Sequence, residues 1–281
     1  MPWSGDDSLA LGRETRLSHA FTMSSDILYE VRDRIGLVTI NRPDARNALT
    51  FEMYARIAEI CRTIPTDGSV KALIITGAGA KAFAAGTDIS LFRDFTTPEQ
   101  ALAYEASANE NFSAIETCVV PTIAAIAGAC TGGGAGIATC CDMRIATADM
   151  KFGFPIARTL GNCLSAATLK RLVSAIGEPR VVDLLFTSRL MDADEALRVG
   201  LVSDVVEDHE RLMTRAWALA SRIAANAPLT ISATKTLLHR LRRAGPAVDD
   251  HDVISKVYTS HDFREGLESF LAKRPPQWTG R

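Results

Sequence analysis

Two apolar runs, VKALIIT at 70–76 and PTIAAIA at 121–127, constrain the fold of this chain more than any other feature. Each is continuous rather than alternating, the pattern of a strand buried on both faces of a parallel sheet. A glycine-rich loop follows each one: GAGAKAFAAGTD (77–88) after the first and GACTGGG (128–134) after the second. A helical segment comes next in both cases. Strand, loop and helix in that order, twice over, predict an α/β fold with a mostly parallel sheet, because parallel neighbours need a crossover connection. Open sheets of this kind gather ligands at the C-terminal ends of their strands, so both glycine loops are candidates for a single site.

The flanking segments fill in the plan. Short β-rich runs at 27–31 and 35–40 read as a hairpin; Thr50 reads as the N-cap of a helix reaching about Arg62, and Thr97-Pro98-Glu99 opens another reaching about Cys118. A short helix is expected at 135–141, strands at 142–147, 151–154 and 201–206, and helices at 164–176, 180–186 and 193–199. From His209 onward the chain reads as helical, with breaks at Pro228 and at Gly245-Pro246. The expected organisation is a loose N-terminal extension over 1–22, a core over 23–206 and a C-terminal helical region over 207–281.

Composition excludes several classes of function. The 281 residues are 47% hydrophobic, ample for a sizeable core, and the net charge of −2 implies no basic face for nucleic acid. No apolar run approaches the roughly 18 residues of a membrane span, and the first 22 residues lack the apolar stretch of a signal peptide. Six cysteines form no C-x-x-C, and Cys140 and Cys141 are adjacent. The five histidines show no H-x-x-x-H spacing, so neither a disulfide framework nor a metal site is expected. These features together read as a cytoplasmic protein with reduced thiols.

The glycine loops admit more than one ligand. Gly77-x-Gly79-x-x-Ala82 falls near a dinucleotide fingerprint but lacks the helix at the third small residue and the acidic residue on a later strand tip. Gly132, Gly133 and Gly134 expose consecutive backbone N–H groups at the positive end of the helix that follows, which can cradle a phosphate or an oxyanion. Tight helix–strand packing explains the same three glycines. Two N–H donors from separate loops can also converge on one carbonyl oxygen.

Six segments in register carry a resemblance. NRP…NAL (41–49), AFAAGTD (82–88), G…GGG…CD (128–142), KFGFP (151–155), A…GLV (196–202) and REG…FLAKR (264–274) resemble the crotonase superfamily of enoyl-CoA hydratases and isomerases, over about 24–276. The resemblance implies a spiral of ββα units with a C-terminal helical region used for trimerisation, as a trimer or a dimer of trimers. It implies an acyl-CoA thioester as substrate, with coenzyme A as part of that substrate and no other cofactor. The backbone N–H groups of Thr87 and Gly133 then hold the thioester oxygen; Thr87 stands where the family more often has alanine. Arg46 to Ala48 resemble the stretch that contacts adenine and ribose. Phe270 and Lys273 resemble tail residues that reach the CoA of a neighbouring subunit. The implied acyl pocket takes in Ala85, Asp88, Ile89, Gly136, Ile156 and Arg158, although Asp88 also reads as a structural residue bonding nearby backbone.

The pattern breaks where hydration chemistry needs it. Family hydratases carry glutamates in G-G-G-x-E and F-G-x-P-E; here the corresponding residues are Gly136 and Ile156, and neither ionises. Hydration by two glutamates is therefore not expected. Arg158 can pair with a substrate carboxylate or lie on a surface, and Cys163 can attack a thioester or simply pack. Asn162 and Ser165 can orient water or cap a helix. Space at Gly136 can hold water or bicarbonate. Glu105, Glu110 and Glu116 lie on the helix after the first loop, where a solvated face is the usual arrangement. Two readings stand: an acyl-CoA enzyme with unassigned acid and base, and a catalytically degenerate acyl-CoA-binding paralogue or hetero-oligomer subunit.

Overall fold

The computed structural model describes residues 26–93, 96–244 and 251–281. The expected extension over 1–22 and the break at Gly245-Pro246 lie outside them. The hairpin is present as β1 (Ile27–Arg32) and β2 (Ile35–Ile40), paired antiparallel. Helix α1 (Phe51–Thr63) starts at Thr50, whose hydroxyl accepts the Met53 N–H at 3.3 Å. Strand β3 (Ala72–Gly77), strand β4 (Ala82–Ala84) and helix α2 (Pro98–Glu116) form one ββα turn. The next is β5 (Thr122–Ile126), β6 (Ala129–Thr131) and α3 (Gly133–Cys140). A third runs through β7 (Met143–Thr147), β8 (Lys151–Gly153) and the short α4 (Ile156–Thr159) into α5 (Ala166–Ile176). Then come α6 (Glu178–Thr187), β9 (Met191–Asp192), α7 (Ala193–Arg198) and β10 (Val205–Val206). The C-terminal helices are α8 (His209–Ala224), α9 (Pro228–Ala244), α10 (His251–Tyr258) and α11 (His261–Leu271).

Each turn of this spiral gives one strand to each of two sheets. The larger sheet has the order β1-β2-β3-β5-β7-β10 and is parallel from β2 onward; the smaller has the order β4-β6-β8-β9. The parallel strands expected at 70–76 and 121–127 are therefore neighbours, β3 and β5, as a common site requires. Their side chains alternate between two cores. Leu73, Ile75, Ala124 and Ile126 pack into the interior cluster between the sheets, while Ala72, Ile74, Ile123 and Ala125 pack beneath Leu212, Ala216 and Ala220 of α8. Burial on both faces explains why those runs are continuously apolar.

The sequence reading placed uninterrupted loops at 77–88 and 128–134, and the structure corrects this. Each contains a three-residue strand, β4 and β6, paired to each other in the second sheet. Three residues are too few for a periodicity to show, and the surrounding glycines imitate loop composition. The strand expected at 201–206 shrinks to Val205–Val206. Among the described residues no helix is long and apolar enough to cross a membrane.

Helix α9 is fastened to the start of β5 by one carboxylate. Asp142 Oδ2 accepts the Thr122 N–H at 2.8 Å, the Thr122 hydroxyl at 3.0 Å and the Lys235 ammonium of α9 at 2.6 Å. The Lys235 side chain is only 10% exposed. Asp142→Ala removes its counter-charge and is expected to cost about 3 kcal/mol, read as a lower urea midpoint.

Candidate active site

The first donor loop is braced from inside. Asn47, fully buried, donates from Nδ2 to the carbonyls of Ala78 at 3.1 Å and Ala82 at 2.7 Å, and its Oδ1 accepts the Arg42 N–H at 3.0 Å. Beyond β4, Leu49 donates to the Gly86 carbonyl and accepts the Asp88 N–H, both at 2.8 Å. This bridge uses the residues either side of Thr87 and leaves the Thr87 N–H outside it. The second loop turns at Gly132, whose φ of 52° and ψ of −119° exclude most side chains, and enters α3 at Gly133. As the first helical residue, Gly133 has no intrahelical acceptor for its N–H. Among the described residues neither N–H donates to another backbone group.

The two loops touch. A Cβ on Gly132 would stand 3.3 Å from Gly86 Cα, and one on Gly133 would stand 3.0 Å from the Thr87 hydroxyl. Thr87 and Gly133 therefore lie side by side on the wall of a cavity of about 200 Å³. Ala85, Ile89, Phe92, Tyr104, Phe112, Phe154, Ile156 and Leu164 make most of the remainder of that wall apolar. An adjacent pair of uncommitted N–H groups, one at a helix N-terminus, can bind a carbonyl oxygen and strengthen its hold as negative charge develops there.

Tyr54 sits directly behind the pair. Its hydroxyl is 2.9 Å from Thr87 Oγ1, and a Cβ on Gly133 would come within 1.6 Å of the same oxygen. Burial raises the Tyr54 phenol well above its ordinary range, so it stays protonated and can donate. Tyr104 also hydrogen-bonds Thr87 and is likewise raised by burial. Neither tyrosine was singled out in the sequence. Tyr54 shares a helix face with Met53 and Ile57, and Tyr104, Ala108 and Phe112 recur at helical spacing, so both sets read as core.

The two positions where family hydratases keep glutamate are closed in different ways. A Cβ on Gly136 would lie 2.5 Å from Phe112 Cζ, so the expected space for water or bicarbonate is occupied by an aromatic ring. Gly136 is buried and does not line the cavity, contrary to its place in the expected acyl pocket. Ile156 does line it, as do Asn162, Cys163 and Ser165; Ser165 also caps α5, accepting the Thr168 N–H at 3.3 Å.

Other expected contacts fall elsewhere. Asp88 caps the turn that follows it, its carboxylate accepting the Ser90 hydroxyl at 2.7 Å and facing Arg42 at 3.4 Å, and it is absent from the cavity wall. These bonds, that from Ser90 first, hold its carboxyl below the ordinary range. Arg158 is exposed on α4, away from the wall. The carbonyls of Arg46 and Ala48 accept the Ala85 N–H at 3.1 Å and the Arg42 guanidinium at 2.8 Å, which places both residues in the brace of the first loop. Lys273 is exposed just beyond α11, and the Phe270 side chain lies outside the described residues. Among the described residues no cluster of three or more His, Cys, Asp or Glu is arranged to hold a metal.

The contact between positions 112 and 136 is directly testable. Gly136→Glu is expected to destabilise the protein by about 1–3 kcal/mol through overpacking and to gain no hydratase activity. Combined with Phe112→Ala, it should cost less than the two single losses summed, and a double-mutant cycle in urea checks this.

Comparison with known proteins agrees with this architecture. The enoyl-CoA hydratase/isomerase family matches residues 30–281. A short-chain-enoyl-CoA hydratase of Clostridium acetobutylicum is 34% identical over 253 residues, covering 89% of this chain and 96% of its own. A crotonyl-CoA hydratase of Syntrophomonas wolfei is 33% identical over 256 residues, covering 89% and 96%. Among solved structures, an enoyl-CoA hydratase/carnitine racemase from Magnetospirillum magneticum superposes with a TM-score of 0.84 at 37% identity, covering 91% of this chain and 96% of that one. Spiral, paired glycine loops and overall likeness lead to one conclusion: the chain belongs to the enoyl-CoA hydratase/isomerase family of the crotonase superfamily.

Proposed function

We propose that this protein binds an acyl-CoA thioester with its carbonyl oxygen between the Thr87 and Gly133 N–H groups, and that it stabilises the enolate formed there. The observation that carries this reading is the contact of the two loops at Gly86 and Gly132, with both N–H groups uncommitted at an apolar cavity. Each such donor contributes on the order of 3 kcal/mol to an oxyanion in a water-poor site. At about 200 Å³ the cavity is smaller than the roughly 300–1,000 Å³ of drug-sized pockets, so it suits a short acyl chain with the nucleotide outside. The short-chain substrates in two relatives' names support the same size class.

The reaction in this reading is one that starts from the thioester enolate and needs no pair of carboxylates. Gly136 and Ile156 supply none, and Phe112 fills the place of the first. Incubation with saturated, 2-enoyl, 3-enoyl, 3-oxo and dicarboxylic acyl-CoAs, read by chromatography and mass spectrometry, identifies the class. Gain of water would contradict the exclusion of hydration. Binding without any conversion would establish the degenerate acyl-CoA binder instead. Thr87→Pro, which deletes one N–H, is expected to lower turnover by about 10²–10³-fold, while Thr87→Ser keeps the N–H and the hydroxyl and stays close to wild type.

A further inference from the structure

Resting on the acyl-CoA reading above, we infer that Glu105 is the acid/base of this site, moving a proton at the carbon next to the thioester carbonyl. Glu105 lies on α2, on an element different from either missing glutamate, and its side chain is on the cavity wall that Thr87 and Gly133 share. It is the only carboxylate on that wall among the described residues.

Its surroundings suit the task. Ser165 lines the same wall, and among the described residues no Lys, Arg or His forms an ion pair with the carboxylate. Burial in the apolar wall raises its pKa, outweighing the opposing influence of the nearby Ser165. A half-buried carboxylate free of a cation partner is a better proton acceptor than a solvated or salt-bridged one. The other two helical candidates are committed differently: Glu116 pairs with Arg171 at 2.9 Å, and Glu110 is exposed.

The step balances without a further reactant. The Glu105 carboxylate takes a proton from C2, and the C–H electron pair becomes the C1–C2 double bond. The carbonyl π pair moves onto oxygen, where the Thr87 and Gly133 N–H groups hold it. The Glu105 carboxylic acid then returns a proton, to C2 in a saturated thioester or to C4 in a 3-enoyl thioester, and the carbonyl re-forms. Charge and atoms are unchanged, and Glu105 ends as it began.

The test uses the full chain in D2O with butyryl-CoA and trans-3-hexenoyl-CoA, reading C2 deuterium and product isomers by mass spectrometry. Calorimetry with butyryl-CoA measures binding separately, and circular dichroism checks folding. Wild type is expected to exchange the C2 protons. Glu105→Gln should bind butyryl-CoA as wild type does yet lose about 10²-fold or more in exchange, and Glu105→Asp should recover part of it. Exchange by Glu105→Gln at the wild-type rate overturns the assignment, as does wild type that binds but does not exchange. Wild type that fails to bind butyryl-CoA overturns the acyl-CoA reading itself, and Glu105 with it.

Discussion

Between the chain at Gly86 and the chain at Gly132 there is contact without side chains, and the site is built around that contact. Two loops from successive turns of the spiral can present N–H groups to one oxygen only if their backbones approach this closely. Everything behind them maintains the approach. Parallel pairing of β3 with β5 sets the two loops at the same end of the sheet, the short pairing of β4 with β6 fixes their spacing, and Asn47 buttresses the first loop from within. Pre-set donors of this kind pay their reorganisation during folding, so little remains to be paid when charge develops on a bound ligand.

Around that geometry the polar content of the cavity differs from a two-glutamate hydratase plan. Phe112 meets Tyr54 edge to face at 5.9 Å and covers Gly136, so one carboxylate position has become aromatic core. Tyr54 and Tyr104 bring hydroxyls to Thr87 instead. Phenols kept neutral by burial supply donors without the desolvation cost of a charge. The remaining carboxylate, Glu105, comes from the helix rather than from the loops.

The scaffold was legible in the sequence because burial on both faces leaves a clear trace: β3 and β5 are buried at every position and mostly apolar, and Thr50 is the N-cap it resembles. Strands β4 and β6 left no such trace, being three residues long among glycines. The two glycine loops could be located because loop glycines mark close backbone approach, while the assignment of Thr87 and Gly133 within them came from the family resemblance. Tyr54, Tyr104, Phe112 and Glu105 could not, since a helix face that lines a cavity has the same periodicity as one that packs against a core. Which of the two it is depends on what stands opposite, and that is settled by the second loop and by α4 and α5, which lie further along the chain.

The Phe112 ring over Gly136 also bears on which mutational routes are open to such a chain. With the ring in place, a glutamate at 136 carries a stability penalty, because the new side chain meets a filled space. Shrinking Phe112 first empties part of the core, a loss of about 3–5 kcal/mol for phenylalanine to alanine, against a total stability that is commonly about 5–15 kcal/mol. Either order passes through an intermediate less stable than the starting chain. The aromatic contact therefore acts as a barrier that biases such a chain toward whatever chemistry the remaining cavity allows.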